Sequence, residues 1–598
     1  MTKHVDLNCR IPAAMFLVTM FILLPWDNVM AQTFTRITDA ANPVVTDVFN
    51  SGGGSWIDLN QDGYLDLFVA HGNDVSQNNS LYINNQHGGF LKMTTGAIVN
   101  DGGTSIGSSW GDFDNDGHLD VFVTNRFSFG NFLYHGQVDT AFTRITAGAV
   151  VTDKASSNSS HWIDLENDGD LDLFVVNFQA RHFLYLNSGA PSYSLARIDT
   201  GLVLDNNGIS IIGAWADFDN DGDHDLFVGN GGNSNDDLFI NSGAGAFSKL
   251  ALDDGRSTLG ASWGDYDNDG DLDLFVANFL NQNNILYQNS GAPNFALNPV
   301  NNCIVSNDGG NSVGSAWGDF ENDGDLDLFV ANDIVSGSGG RNFLYQNSGP
   351  PDYGFVKVTA GDIVNDVSNS FGCVWGDYDR DGDLDLFVAN RLNQTNLLYR
   401  NDLSNGQHWI SIRCEGTVSN RSAIGTKVRV KAAINGLGRW QKREVASQTG
   451  YNSQNLELHF GLGDAAMIDS LLAEWPSGQT QAFTQVGVDR FVTIREDGMI
   501  TSVQERGQPL REFDLAQNYP NPFNPATRIL FTLPATQQVT LSVYDAHGRE
   551  VDTLVDGLLP AGYYEVNYRA TPFTASGIYF YRLTAGGFTQ TRKMLLVK

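Results

Sequence analysis

The sequence predicts an all-β chain: a seven-bladed β-propeller with ion-binding hairpin loops, then a small β domain, then an immunoglobulin-like C-terminal β-sandwich. Three observations point there. One unit recurs seven times within residues 32–403; its short Val, Leu and Phe runs alternate with glycine-rich turns (64 Gly in 598 residues); and the acid of the chain is concentrated in that repeat. Residues 33–403 hold 50 acidic and 14 basic side chains and the rest 19 and 21, so the formal charge of −34 belongs to the repeat. Such a field argues against nucleic acid or an anionic membrane surface as a partner and makes cations the natural counterpart. With 41% hydrophobic and 17% charged residues the chain is no disordered polyacid, so the acid sits in folded places.

The unit is plainest as WGDYDNDGDLDLFVAN at 263–278. Its first aspartates, Asp58, Asp112, Asp164, Asp217, Asp265, Asp319 and Asp377, are 48 to 58 residues apart, which suits a four-stranded propeller blade. Each unit reads as four strands: one ending at a tryptophan, the LDLFVAN run, an xLYxN run, and an F-x-K/R-x-T run such as 355–359. Residues 34–38 match the fourth-strand pattern with no first three strands before them, and unit seven stops after Leu398-Tyr399. The N-terminal strand is therefore expected to complete the last blade and close the ring, which removes an open edge. Trp56, Trp110, Trp162, Trp215, Trp263, Trp317 and Trp375 each precede a first aspartate by two residues. That spacing is fixed to the strand and not to a loop, so they are read as inter-blade core.

Every unit carries the loop D-x-D/N/E-x-D-G-x-x-D. Calcium takes six to eight oxygens; carboxylates at positions 1, 3, 5 and 9 with the position-7 carbonyl supply them, and Gly at 6 makes the sharp turn. Loop one offers Asp58, Asn60, Asp62, the Tyr64 carbonyl and Asp66; loop two offers Asp112, Asp114, Asp116, the His118 carbonyl and Asp120. Loop three offers Asp164, Glu166, Asp168, Asp170 and Asp172, and loop four Asp217, Asp219, Asp221, Asp223 and Asp225. In loop five the set is Asp265, Asp267, Asp269, Asp271 and Asp273. Loops six and seven give Asp319, Glu321, Asp323, Asp325 and Asp327, then Asp377, Asp379, Asp381, Asp383 and Asp385. Two carboxylates ~4 Å apart repel by about 4 kcal/mol at an effective dielectric near 20, and each loop gathers three or four. About seven structural Ca²⁺ ions are therefore expected. The ninth-position Asp and the flanking strands separate the pattern from an EF-hand, and magnesium, which keeps several waters, fits less well.

These units resemble FG-GAP/VCBS repeats, the calcium-binding blades of integrin-alpha-like propellers. The resemblance implies that all ion loops share one face and that the loops joining strands two and three lie on the other. That second face carries variable, Asn-rich stretches at 126–130, 178–182, 230–237, 333–341 and 391–396, the sort of loops on a rigid scaffold where binding sits.

After Asn401 the acid stops. His408-Trp409-Ile410, Ser419-Asn420-Arg421 with Ala423-Ile424-Gly425, Gly450-Tyr451 with Ser453-Gln454-Asn455, Phe460-Gly461-Leu462-Gly463 and Trp475-Pro476-Ser477-Gly478 resemble the ASPIC/UnbV domain of cartilage-acidic-protein relatives, here 404–497. Alternation at 427–431, 456–459 and 491–494 reads as a small β domain docked on the ring. Asn420 and Arg421 admit two readings, recognition of a ligand carboxylate or glycan and a buried hydrogen-bonded turn. A linker is expected at 498–516. Beyond it, Asn518-Tyr519-Pro520-Asn521-Pro522-Phe523-Asn524-Pro525, Val543-Tyr544-Asp545 with Gly548, Ser576-Gly577-Ile578-Tyr579-Phe580 and Arg592-Lys593-Met594 resemble the type A C-terminal sorting domain of the type IX secretion system. That resemblance implies passage through the outer membrane and a secreted or surface-attached product.

Residues 1–31 read as a signal peptide: Lys3 and Arg10, an apolar stretch at 11–25, and Val29-Met30-Ala31 as the cleavage site. No later stretch reaches ~18 apolar residues, so no spanning helix is expected. Cys303, Cys373 and Cys414 form no disulfide framework and are expected as thiols. There is no G-x-S-x-G or H-E-x-x-H, and the 11 His are scattered. The expected function is non-enzymatic binding or adhesion towards an extracellular glycan or protein; the alternative is an enzyme on polysaccharide or another polymer with its site in the propeller channel.

Overall fold

The computed structural model describes residues 34–597 apart from 206–207, 244, 335–338, 449–450, 454, 504–512, 519, 560–561 and 572–574. The signal-peptide reading, part of the linker and of the 333–341 loop, and Gly450, Gln454 and Tyr519 lie outside the described residues.

Residues 34–401 form seven four-stranded antiparallel sheets. In blade one the strands are Ser51–Ile57, Asp66–His71, Ser80–Asn84 and Phe90–Lys92. The first strand of each sheet contacts the first strand of the next, and the seventh meets the first, so these strands line the axis of a closed ring. The seventh sheet takes Phe34–Arg36 as its outer strand, with Phe34 opposite Asn401 and Arg36 opposite Tyr399.

Repeated side chains staple each blade to its neighbour. Trp56 Nε1 donates to the Val374 carbonyl, Trp162 to Ser109, Trp263 to Ala214, Trp317 to Ser262 and Trp375 to Ala316, which places the tryptophans between blades. The Asn of the xLYxN run does the same one strand out: Asn187 Nδ2 reaches Phe113 O, Asn289 Phe218 O, Asn347 Tyr266 O, Asn401 Phe320 O and Asn84 Tyr378 O, all at 2.7–2.8 Å. In five blades the Tyr of that run donates to an Asp ahead of a first strand, which also pairs with the basic residue of a fourth strand. Tyr185, Asp153 and Arg197 are one such set, at 3.0 and 2.7 Å.

The following domain is two four-stranded sheets. It continues past 497: Ile500–Val503 pairs with Arg490–Arg495 through a turn at Asp497-Gly498, and Asp514–Leu515 pairs with Ala526–Leu533. Both ends of the expected linker are thus in strands, 500–503 with this domain and 514–515 with the C-terminal one. Its apolar core, including Ile412, Val430 and Ile468, runs without a break into Phe113, Trp162 and Val175 of blades two and three. The C-terminal domain packs a three-stranded sheet and a four-stranded sheet around one core containing Phe531, Leu541, Tyr581 and Met594. Cys373 and Cys414 are buried thiols and Cys303 is half-buried. Among the described residues no helix is long and apolar enough to cross a membrane.

Candidate metal centres

Each acidic loop joins the first and second strands of its blade, and its backbone is shaped by its own carboxylates. The position-6 glycines adopt φ between +88° and +100°, a region costly for any residue with a Cβ. The position-5 carboxylate accepts from the position-7 N–H in all seven loops, at 2.8–3.2 Å. The position-1 carboxylate accepts from the glycine N–H in six, as with Gly117 to Asp112 at 2.7 Å.

The ninth-position aspartates, at most 1% exposed, have a second task that pattern reading missed. One oxygen accepts from the position-2 N–H and the other from the end of strand three, as in Asp120 with Phe113 (3.0 Å) and Gly136 (2.7 Å). They clamp the hairpin and still retain lone pairs for an ion. Position 4 was also missed. Its side chain reaches the next loop around the ring: Gln61 to Gly117 O, Asn115 to Gly169 O, Asn167 to Gly222 O, Asn220 to Asp271, Asn268 to Gly324 O, Asn322 to Gly382 O and Arg380 to Gly63 O. The signal was present in the sequence, since position 4 is Asn in five of the seven loops.

Three acidic ligand atoms come within 4.8 Å of one another in loops two (Asp112, Asp114, Asp120), four (Asp217, Asp219, Asp225), five (Asp265, Asp267, Asp269) and seven (Asp377, Asp379, Asp385). These are the loops with Asp at position 3. Loops with Asn60, Glu166 or Glu321 there form no such group among the described residues. Asp265 is 1% exposed and neither of its oxygens has a hydrogen-bond partner. A buried carboxylate left in that condition is strongly unfavourable, and a hard cation satisfies it. Burial first, and neighbouring carboxylates next, push Asp66 and Asp172 up to about 8 and Asp225 to about 9. Asp112, Asp265 and Asp319 rise to about 7 by burial, only partly offset by hydrogen bonds or by Arg443.

The small β domain covers this acidic face. Arg413 approaches Asp58 (3.4 Å), Lys427 pairs with Asp217, Arg439 with Asp325 (3.0 Å), and Lys442 donates to Asn220 (2.6 Å). From the same domain, Ser447, Gln448, Tyr451 and Asn452 enter the channel. Ser447 Oγ donates to Trp162 O, the Ser160 N–H to Gln448 and the Gly54 N–H to Asn452, while Tyr451 packs on Phe371 with ring centroids 4.7 Å apart. Between ring and domain lies a cavity of about 160 Å³ whose lining includes Asp265, Asp319, Asp377, Arg443 and His459.

Asn420 proves to be structural: it is fully buried, and its side chain bonds both the N–H and the carbonyl of Ile424. Arg421 pairs with Glu415 at 2.8 Å. The preceding turn points the N–H groups of Thr417, Val418 and Ser419 at the Glu496 carboxylate (2.6–2.8 Å). Burial raises Glu496, but the Ser477 hydroxyl and these N–H groups outweigh it and hold the acid below the usual range. Its stabilisation is therefore present above the unfolded value near 4.3 and fades as pH falls through the folded one. Glu496→Ala, which leaves the N–H groups unpaired, is expected to cost about 3 kcal/mol by denaturant titration, with the difference from wild type shrinking in acid.

Models of the FG-GAP-like repeat match residues 58–123, 164–228, 217–276, 265–330 and 331–388. The ASPIC and UnbV model matches 416–500, and the secretion system C-terminal sorting domain model matches 517–598. No curated protein matches the chain. Among solved structures, the Dos1 propeller is similar at 9% identity over 77% of this chain and 90% of that one, with a TM-score of 0.28. A fructofuranosidase from Schwanniomyces occidentalis, complexed with fructosylnystose, is similar at 7% over 94% and 92%, with a TM-score of 0.24. Similarity at that level carries no argument here. The repeats, the domain that covers them and the C-terminal segment make this chain an FG-GAP-repeat propeller protein with an ASPIC and UnbV domain and a type IX secretion system C-terminal sorting domain.

Proposed function

We propose that this exported protein is a calcium-stabilised, non-enzymatic binding or adhesion module whose ligand, a glycan or a protein, docks on the loops joining strands two and three of each blade. The sorting domain indicates a secreted or cell-surface location. The observation that carries the reading is the covering of the opposite face and the filling of the channel by the β domain. That filling also weighs against a catalytic site in the channel.

The free loops support it further. Phe127, Leu280 and Leu392 are about half exposed and have φ of +57° to +60°. A bulky residue there costs about 1 kcal/mol, and strain of that kind gathers at ligand-binding positions. Calcium is supported by the compact carboxylate groups and by the unpartnered Asp265. We expect four ions to survive extensive desalting, in the loops with Asp at position 3, and the other three to wash out.

The test is a glycan and protein array probed with the calcium-loaded chain and with a Phe127→Asn, Leu280→Asn, Leu392→Asn variant. Loss of binding with an equal or higher melting temperature is expected, because Asn tolerates the left-handed region. Turnover of a polysaccharide, or binding indifferent to the three changes, would overturn it.

A further inference from the structure

Blade two departs from the others at one position beside its ion loop. The residue that follows the Tyr (Phe239 in blade four) of the third strand is Ile83, Leu186 or Ile240 in blades one, three and four, and Gln288 or Gln346 in blades five and six. Those two glutamines donate to the position-3 acids Asp267 and Glu321. Blade seven has Arg400, which turns to Asp402 at 2.8 Å. Blade two alone has a histidine there, His135.

Its Nε2 lies 2.9 Å from Asp114 Oδ2 and 3.3 Å from Asp116 Oδ2, and the ring is held edge-on against Phe113, centroids 6.5 Å apart. The three ligand atoms fall within 4.8 Å of one another, and Asp114 is shared with the group Asp112, Asp114 and Asp120. The other oxygen of Asp114 is buried without a partner. Ligands ~2.1 Å from an ion stand about 3.0 Å apart at a right angle and about 3.4 Å apart at a tetrahedral one, close to the two observed separations. Calcium and magnesium choose oxygen, whereas imidazole together with carboxylate suits first-row transition ions.

We propose that blade two holds a divalent first-row transition ion on Asp114, Asp116 and His135 Nε2, whereas the remaining loops take oxygen ligands only. The assignment rests on the reading that these loops bind cations. It makes the ring a mixed-metal scaffold in which one ion is chosen by a nitrogen ligand from an adjacent strand.

The test uses the full calcium-loaded chain, exposed to one equivalent of Mn²⁺, desalted into excess Ca²⁺, and examined by elemental analysis and pulsed EPR. One Mn²⁺ per chain with a ¹⁴N hyperfine coupling is expected. His135→Gln, which installs the donor of blades five and six, should lose the coupling and weaken Mn²⁺ retention by roughly 100-fold, with one further Ca²⁺ per chain retained in place of the lost Mn²⁺. Absence of the coupling, or equal retention by the variant, overturns the proposal and leaves His135 as a hydrogen-bond donor. A chain that retains calcium but no manganese overturns this proposal alone; one that retains neither ion overturns the calcium reading as well.

Discussion

Stripping divalent ions with EDTA is expected to lower the melting temperature by roughly 10 °C or more at pH 8 and by far less at pH 5. The direction follows from the ion-free loops. Burial and neighbouring carboxylates raise Asp112, Asp265 and Asp319 to about 7, Asp66 and Asp172 to about 8, and Asp225 to about 9, against 3.8 ordinarily. Between pH 4 and about 9 the ion-free native state therefore binds more protons than the unfolded chain, so its stability falls as pH rises. A bound cation reverses the preference, since its ligands must be ionised. Calcium binding should accordingly release protons near neutrality, measurable by calorimetry in buffers of different ionisation enthalpy. An EDTA effect that is absent, or the same at both pH values, would show that the carboxylates do not depend on an ion.

The parts legible in the sequence are those governed by local spacing. Loop residues, strand order and the tryptophans repeat every 48 to 58 residues, so seven copies reinforce each assignment. The Asn115-type link between loops and the Tyr185–Asp153–Arg197 clamp also repeat, but their partners lie in a different strand or blade, and spacing along one unit does not reveal them. Position 9 looked like a pure ligand because its carboxylate is the same whether it faces an ion or a backbone N–H. Loops one, three and six satisfied the pattern as well as the rest, yet Asn60, Glu166 and Glu321 differ from Asp in charge or in length, and their carboxylates are less closely gathered.

The docking of the β domain was legible only as docking. Its contacts join residues 114 to 398 positions apart without periodicity: Arg439 with Asp325, Lys427 with Asp217, Arg413 with Asp58, Asn452 with Gly54. One trace was present. Blade one has Gly52-Gly53-Gly54 where blade two has Ile106-Gly107-Ser108, and a Cβ on Gly53 would overlap the Tyr451 carbonyl. The linker reading failed at 500–503 for the opposite reason: the pairing there is a local hairpin, but it lies beyond the last recognisable motif of the domain.

That trace gives the second large effect. Gly53→Leu is expected to expel Tyr451 and Asn452 from the channel and loosen the β domain, at a cost of about 3 kcal/mol or more, since overpacking a site closed by backbone leaves no rotamer to escape into. Loosening removes more than packing. Lys427 and Arg439 neutralise Asp217 and Asp325 in the docked state, so the undocked ring must find that positive charge elsewhere, and calcium is the available source. The variant should therefore melt far below wild type in EDTA, recover much of the difference in millimolar Ca²⁺, and be cleaved by protease within 404–503 under conditions that leave wild type intact. Asn452→Ala, which removes the bond to the Gly54 N–H without adding bulk, should show the same calcium dependence at smaller amplitude if Gly53→Leu does not fold. Equal EDTA sensitivity in both variants and wild type would mean that the cations of the β domain and the ions of the ring act independently. A steeper calcium dependence in the variants would make the covering domain part of the ion-binding apparatus, its cations and the bound ions substituting for one another, with docking and loop occupancy opposing one another by the same free energy.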